Sequence, residues 1–95
     1  MFKELNPLIH SQLRLAIMTI LVSVEEADFN YLKEKTEATA GNISVQLDKL
    51  SAAGYISVTK EFIGKKTHTT CKITEAGKSA LQEYVEALKS YFKNC

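Results

Sequence analysis

The side-chain pattern in the middle of this 95-residue chain changes from a helical period to the two-residue period of a β-strand, and then changes back. Residues 55–62 alternate and are rich in β-branched and aromatic side chains, which is typical of a strand. A turn at Gly64-Lys65-Lys66 follows, and residues 67–73 form a second run of the same kind. These runs predict a β-hairpin, so the fold must combine helices with one small sheet.

A first helix is predicted over residues 6–24. Asn6 is a good N-cap and Pro7 fits the first helical turn. The apolar residues of this helix form one set at Leu13, Ile17, Ile20, Leu21 and Val24, and a second set on the other side at Leu15, Met18 and Val22. A helix that is apolar on both sides is either fully internal or faces the core on one side and a partner on the other.

Residues 28–54 predict two further helices joined by a turn. The first covers residues 30–36 and is capped by Asp28 or Asn30, with Phe29 on a very short strand or at the helix entry. The turn is predicted at residues 39–42. Ile43, Leu47 and Leu50 then recur at spacings of four and three, which is one face of a third helix. The opposite face carries short, mostly polar side chains. Asn42, Val45, Asp48 and Lys49 point outward, and Ser44 and Gln46 lie on its flanks.

A long last helix is predicted over residues 74–93, with Thr74 as its cap. Its stripe of apolar and aromatic residues consists of Leu81, Tyr84, Val85, Leu88, Tyr91 and Phe92. Such a stripe indicates core or dimer contact. Residues 1–95 therefore predict a single α+β domain, mainly α, with a three-helix core, a hairpin over residues 55–73 and a long C-terminal helix. This order is that of a winged helix-turn-helix.

An ordered set of motifs carries a family resemblance. The set is Asn42-Ile43-Ser44, Leu47, Lys49-Leu50, Gly54-Tyr55-Ile56, Gly64-Lys65-Lys66 and Ile73-Thr74-Glu75-Ala76-Gly77-Lys78. From about residue 8 to about residue 91 the chain resembles the small stand-alone winged-helix relatives of MarR-like and PadR-like bacterial transcription regulators. The resemblance implies a recognition helix at residues 42–49, a wing tip at Lys65 and Lys66, and dimerisation through the first and last helices. The family's wing tip often bears an arginine, whereas this tip has two lysines, so we expect phosphate binding there.

The same segments suit double-stranded DNA on physical grounds. A helix fits the major groove, where the amides of Asn42 and Gln46 can pair with adenine and Val45 can meet a thymine methyl group. Lysines at the hairpin tip can lie along the phosphate backbone. The predicted DNA-binding residues are Thr39, Asn42, Ser44, Val45, Gln46, Lys49, Lys65, Lys66, Thr67 and His68. A two-fold homodimer predicts a near-palindromic operator, and an unknown small-molecule effector could lie in the gap between the dimer helices.

Charge is distributed unevenly along the chain. Its net charge is only +1. Residues 1–40 carry four basic and six acidic side chains, whereas residues 41–73 carry five lysines against Asp48 and Glu61. Positive charge therefore concentrates on the segment that holds the predicted recognition helix and wing, which is a modest footprint for phosphate.

Other classes of function find little support. No paired carboxylates, Gly-rich phosphate loop or nucleophile–histidine arrangement is present, so we expect no enzyme and no cofactor. His10, His68, Cys71 and Cys95 lack zinc spacing, and the cysteines indicate reduced thiols in preference to a redox switch.

Residues 1–7 do not resemble a secretory signal and residues 15–24 are too short to span a bilayer, which predicts a cytoplasmic protein. A winged helix used only for protein contact is the alternative function.

Overall fold

The computed structural model describes residues 2–93. Within them, four helices are combined with a three-stranded antiparallel sheet, which confirms the predicted α+β, mainly helical, winged-helix fold. The elements in chain order are α1 (Gln12–Val24), β1 (Glu26–Asp28), α2 (Phe29–Thr36), α3 (Ala40–Ala52), β2 (Ile56–Ile63), β3 (Lys66–Ile73) and α4 (Glu75–Lys93).

The predicted start of the first helix at Asn6 is wrong, since α1 begins at Gln12. Asn6 instead caps a single turn, hereafter the N-terminal turn (residues 6–11). Its Oδ1 accepts the N–H of Leu8 at 2.9 Å, and its carbonyl accepts the N–H of His10 at 2.8 Å. Ser11 then takes an extended conformation, with φ −153° and ψ 129°, and separates this turn from α1. The N-cap signal at Asn6 thus belongs to one turn of chain.

The sheet has the strand order β1–β3–β2, so β3 is central. Cys71 of β3 pairs with Ala27 on one side and with Val58 on the other. β2 and β3 form the predicted hairpin. β1 is the very short strand, and Phe29 begins α2 with Asp28 as its cap, because the Asp28 carboxylate accepts the N–H of Tyr31 at 2.7 Å.

The core lies between the inner faces of α1, α2 and α3 and the base of the sheet. Its fully buried side chains include Ile17, Met18 and Leu21 of α1, Leu32 of α2, and Ile43 and Leu50 of α3. Met18 was expected on the second side of α1, yet it belongs to the core, whereas Val22 of the same set is exposed. The inward face of α1 is therefore wider than the 3.6-residue stripe suggests.

α4 is held at its start and at its middle. Thr74 caps it as predicted, since its hydroxyl accepts the N–H of Gly77 at 3.0 Å and donates to the Gly54 carbonyl at 2.6 Å. Further along, the Tyr84 hydroxyl lies 2.9 Å from Nδ1 of His10 in the N-terminal turn. Leu81 and Tyr84 are buried, but Val85 and Phe92 stay exposed. Within residues 2–93 no helix has the length and apolar character that crossing a membrane requires.

Candidate nucleic-acid interface

Helix α3 presents the polar face that its sequence predicts. Ile43, Leu47 and Leu50 are buried against the core, which confirms the inward face. The opposite face is turned to solvent. Of the predicted DNA-binding residues on α3, the structure leaves Asn42, Ser44, Val45 and Lys49 exposed and Gln46 half-buried. Packing of the three apolar residues thus fixes which side chains can meet a partner.

The turn between α2 and α3 lies earlier than residues 39–42. Glu37 follows α2 in the left-handed conformation, with φ 58°, and Thr39 is the N-cap of α3. The Thr39 hydroxyl accepts the N–H of Asn42 at 3.1 Å. Gly41 is helical, so the glycine that suggested a turn lies inside the first turn of α3. The hydroxyl of Thr39 keeps its own hydrogen for a second partner.

A hydrogen-bonded chain crosses from α1 to the outer face of α3. The Arg14 guanidinium donates through Nη1 to Oε1 of Gln46, and Gln46 donates through Nε2 to Oδ1 of Asn42 at 2.9 Å. Arg14 also donates through Nε to the carbonyl of Leu8. Sequence reasoning missed Arg14. The available signal was that it is the single arginine of the chain and the one charged side chain of α1.

The wing turns at Gly64 and Lys65, because Ile63 pairs with Lys66 across the hairpin. Gly64 has φ +67°, a conformation that glycine adopts without strain and that two-residue hairpin loops favour. Lys65 and Lys66 are exposed at the tip. Phe62 and Ile63 beside them are 78% and 62% exposed, an apolar feature that the alternating strand pattern did not reveal.

Positive charge on α3 and the wing is not neutralised internally. The structure gives ion pairs between Lys78 and Glu75 and between Lys89 and Glu86, both within α4. In the described part of the chain, the five lysines of residues 41–73 have no carboxylate within ion-pair distance. These ammonium groups are therefore available to an anionic partner.

Ser44 and the half of β3 that follows the wing turn share one polar groove. A cavity of about 280 Å³ is lined by Ser44 of α3, by the start of α2, and by Thr67, His68 and Thr69 of β3. The structure thus brings three predicted site residues, Ser44, Thr67 and His68, to one concave surface. Lys65 and Lys66 lie beyond this groove at the hairpin tip.

Cys71 has the opposite character to a redox sensor. It is fully buried, and desolvation, with a smaller effect from the nearby Asp28 carboxylate, raises the pKa of its thiol to about 11. A thiol held in its neutral form is a poor nucleophile. Cys95 lies outside the described residues. Within residues 2–93 no group of histidine, cysteine and carboxylate side chains is arranged to hold a metal ion.

Three packed helices, a helix-turn-helix with a solvent-facing second helix, and a hairpin beside it define a winged helix-turn-helix protein. A family model described as winged helix DNA-binding domain matches residues 13–92, and the chain belongs to this family. The family is one of DNA-binding domains and not of enzymes, in agreement with the sequence-based expectation. The chain is also similar to an uncharacterized protein of Methanocaldococcus jannaschii, with 35% identity over 85 residues that cover 90% of this chain and 92% of the relative.

Solved structures have the same fold. A transcriptional regulator homologue from Pyrococcus horikoshii matches with a TM-score of 0.83 and 23% identity, over 92% of this chain and 86% of that chain. A MarR mutant from E. coli, solved with operator DNA, matches with a TM-score of 0.73 and 16% identity, over 86% of this chain and 58% of that one. The resemblance to MarR-like regulators is thereby confirmed at the level of fold. The expectation of a bacterial type stays a prediction, because the Methanocaldococcus jannaschii protein, which is archaeal, is more similar in sequence than the E. coli protein.

Proposed function

We propose that this protein binds double-stranded DNA sequence-specifically as a homodimeric transcription regulator. The observation that carries the proposal is the combination of an exposed hydrogen-bonding face on α3 with unpaired lysines on α3 and the wing. An α-helix fits the major groove, and lysines that neutralise phosphates supply affinity through counterion release. The MarR structure with the same fold was solved with operator DNA, which supports the assignment.

The predicted site residues take distinct roles in this proposal. α3 enters the major groove by its N-terminal half, where Asn42 and Gln46 carry amides and Val45 can meet a thymine methyl group. Ser44 and Lys49 reach a base or a phosphate. Lys65 and Lys66 lie on the phosphate backbone, and the hydroxyl of Thr39 donates to a phosphate at the start of α3. Thr67 and His68 line the wing side of the groove beside Ser44.

Dimerisation is proposed through α1 and α4. Val22 and Val24 of α1 and Val85 and Phe92 of α4 remain exposed after the core has formed. Burying them against a second copy removes apolar surface that a small core leaves uncovered. Two α3 helices related by a two-fold axis would then meet half-sites about one helical turn apart, so the operator is near-palindromic. The gap between the paired helices is the proposed place for a small-molecule effector, and the cytoplasm is the expected compartment for a chromosomal regulator.

Selection from random duplex DNA tests the function directly. The protein is mixed with a random duplex library at low salt, bound DNA is recovered over several rounds, and affinity is then compared between the enriched duplex and a scrambled one at one salt concentration. We expect a near-palindromic enriched site that is bound at least about a thousandfold more tightly than the scrambled duplex. No binding to any duplex at low salt would reject the proposal.

Protein contact without DNA binding is the second candidate function. The exposed Phe62 and Ile63 on the wing, together with Val45 on α3, favour it, since apolar patches mark protein interfaces. The lysines that surround the wing tip weigh against an apolar partner. The two functions are separated by the selection experiment, because a protein-contact module enriches no sequence.

A further inference from the structure

We propose that Arg14 fixes the direction of the Arg14–Gln46–Asn42 hydrogen-bonded chain, so that Asn42 presents N–H donors to the major groove and reads guanine. Arg14 and Gln46 are then positioning residues, and Asn42 is the side chain that touches the base. This inference rests on the proposed DNA-binding function and deepens it, since it names the base that one position of the recognition helix selects.

Two hydrogen bonds fix the position of the Arg14 side chain. Nε donates to the main-chain carbonyl of Leu8 in the N-terminal turn, and Nη1 donates to the side-chain oxygen of Gln46. The side chain is half-buried between α1 and α3. It thus links a main-chain group on one side to the recognition helix on the other.

The direction of the chain follows from the chemistry of arginine. A guanidinium has five N–H donors and no acceptor, and it keeps its charge at every pH that a protein tolerates. The atom of Gln46 next to Arg14 must therefore be Oε1, which leaves Nε2 toward Asn42. Nε2 in turn requires an acceptor, so Asn42 turns Oδ1 inward. The group of Asn42 that remains for a ligand is Nδ2, with two hydrogens and no partner in the described residues.

Guanine is the base whose major-groove face fits such a group. It offers two acceptors, N7 and O6, whereas adenine offers an acceptor beside a donor, thymine offers one acceptor beside a methyl group, and cytosine offers a donor. The familiar pairing of an amide with adenine needs both the oxygen and the nitrogen of that amide to face the base. Here the oxygen of Asn42 faces Gln46, and both ends of the Gln46 amide already have protein partners.

Asn42 also stands where a recognition helix reaches bases. It lies in the first turn of α3, its side chain is exposed, and its own N–H is held by the Thr39 cap at 3.1 Å. The N-terminal residues of recognition helices are those that contact bases in helix-turn-helix complexes. Fixed main chain and fixed amide direction together leave one donor group aimed outward.

The test uses the duplex enriched by selection, in which each guanine and adenine is replaced in turn by its 7-deaza analogue. The analogue carries C–H where the natural base has N7 and keeps Watson–Crick pairing. For the wild-type protein, we expect one guanine in each half-site whose replacement weakens binding by about tenfold or more. For Asn42→Ala the same replacement should cost nothing, because the donor is gone.

Three variants separate direction-setting from a structural role. Arg14→Met removes the donor and should lose the guanine preference, with a clearly larger loss of affinity on the enriched duplex than on scrambled DNA, where only its charge matters. Arg14→Lys, which also offers only donors, should retain the preference. Gln46→Glu keeps the shape but cannot donate, so Asn42 must turn Nδ2 inward and Oδ1 outward. That variant should prefer a base that offers a donor, cytosine or adenine, at the same position.

The outcomes decide between the two proposals. Absence of DNA binding by the wild-type protein rejects the proposed function and this inference with it. Sequence-specific binding in which Gln46→Glu and Arg14→Met both keep the guanine preference overturns the inference alone. Equal losses on enriched and scrambled DNA for Arg14→Met would show a structural role only and would also overturn it. If Arg14→Met does not fold, the base preference of Gln46→Glu decides the question, since that variant leaves Arg14 and its contact with Leu8 in place.

Discussion

Gly77 at the start of α4 lies directly against the main chain of Tyr55. A Cβ atom at position 77 would overlap the Tyr55 carbonyl oxygen and lie 2.9 Å from Cγ1 of Ile73. The same carbonyl accepts the N–H of Thr74 at 3.0 Å. A glycine is therefore what allows α4 to leave the sheet at this point, close to the end of the recognition helix.

Gly77→Ala should lower the free energy of unfolding by about 1–3 kcal/mol, because the methyl group meets main-chain atoms that cannot move aside. Gly41→Ala is the matched control, since that glycine is helical, has a normal φ, and a methyl group added there would meet no other side chain within 4 Å. It should be neutral or stabilising by up to about 1 kcal/mol. Urea unfolding followed by circular dichroism measures both, and equal stabilities would contradict the packing described for α4.

Replacing Lys65 and Lys66 with Ala should weaken binding to enriched and scrambled DNA alike. Each lysine on a phosphate contributes about one unit to the slope of log affinity against log salt, so the double variant should lose about two units. The control is Lys78→Ala with Lys89→Ala, which removes equal charge from α4, where both lysines pair with glutamates. A changed sequence preference with an unchanged slope would mean that the wing reads bases.

Asn42→Ala should cost about 1–3 kcal/mol on the enriched duplex and little on a scrambled one, because a base contact is lost while phosphate contacts remain. Ser51→Ala, an exposed position in the last turn of α3, is the control and should change neither affinity. Fluorescence anisotropy at fixed salt measures both variants on both duplexes. Equal losses of Asn42→Ala on the two duplexes would show that Asn42 does not read a base.

Phe92→Ser should shift the protein from dimer to monomer at micromolar concentration, since this side chain is 74% exposed on the α4 face proposed for dimerisation. Phe62→Ser is the matched control, because Phe62 is 78% exposed but lies on the wing. Light scattering should give a dimer mass for the wild type and for Phe62→Ser, and a lower mass for Phe92→Ser. A monomeric wild type would reject the proposed dimer. A monomeric Phe62→Ser beside a dimeric Phe92→Ser would place the interface on the wing instead.

Burial of Cys71 predicts a loss of stability at alkaline pH. The folded-state pKa is about 11, above the ordinary value of 9.0, so the unfolded chain loses this proton first as pH rises. The contribution of this raised pKa to the free energy of unfolding is complete below pH 9 and is lost between pH 9 and about 11. Cys71→Ala should therefore have a flatter dependence of unfolding free energy on pH over that range, with Cys95 present in both proteins. Identical slopes would contradict the prediction.

The architecture could be predicted because the spacing of apolar residues and the positions of turn-forming residues indicate the same elements along most of the chain. Ile43, Leu47 and Leu50 indicated the inward face of α3, and Gly64 indicated the wing turn. The start of α1 was misplaced because an N-cap residue looks the same before one turn as before a helix. The Arg14–Gln46–Asn42 chain was beyond sequence reasoning, since residues 14 and 46 meet only through packing of α1 on α3. The exposure of Phe62 could not be predicted, because the alternation of a strand does not show how far the hairpin extends beyond the core.

The strand order β1–β3–β2 leaves the outer side of β2 without a neighbour in the sheet of residues 2–93. Such an edge is a template for strands of other molecules. β2 is rich in β-branched residues and ends in the exposed Phe62 and Ile63, a composition that favours aggregation. Lys60 and Glu61 interrupt this run with two charges, which is the placement that hinders pairing of such an edge with other molecules. Two charged side chains thus stand at an edge that the sheet itself leaves open.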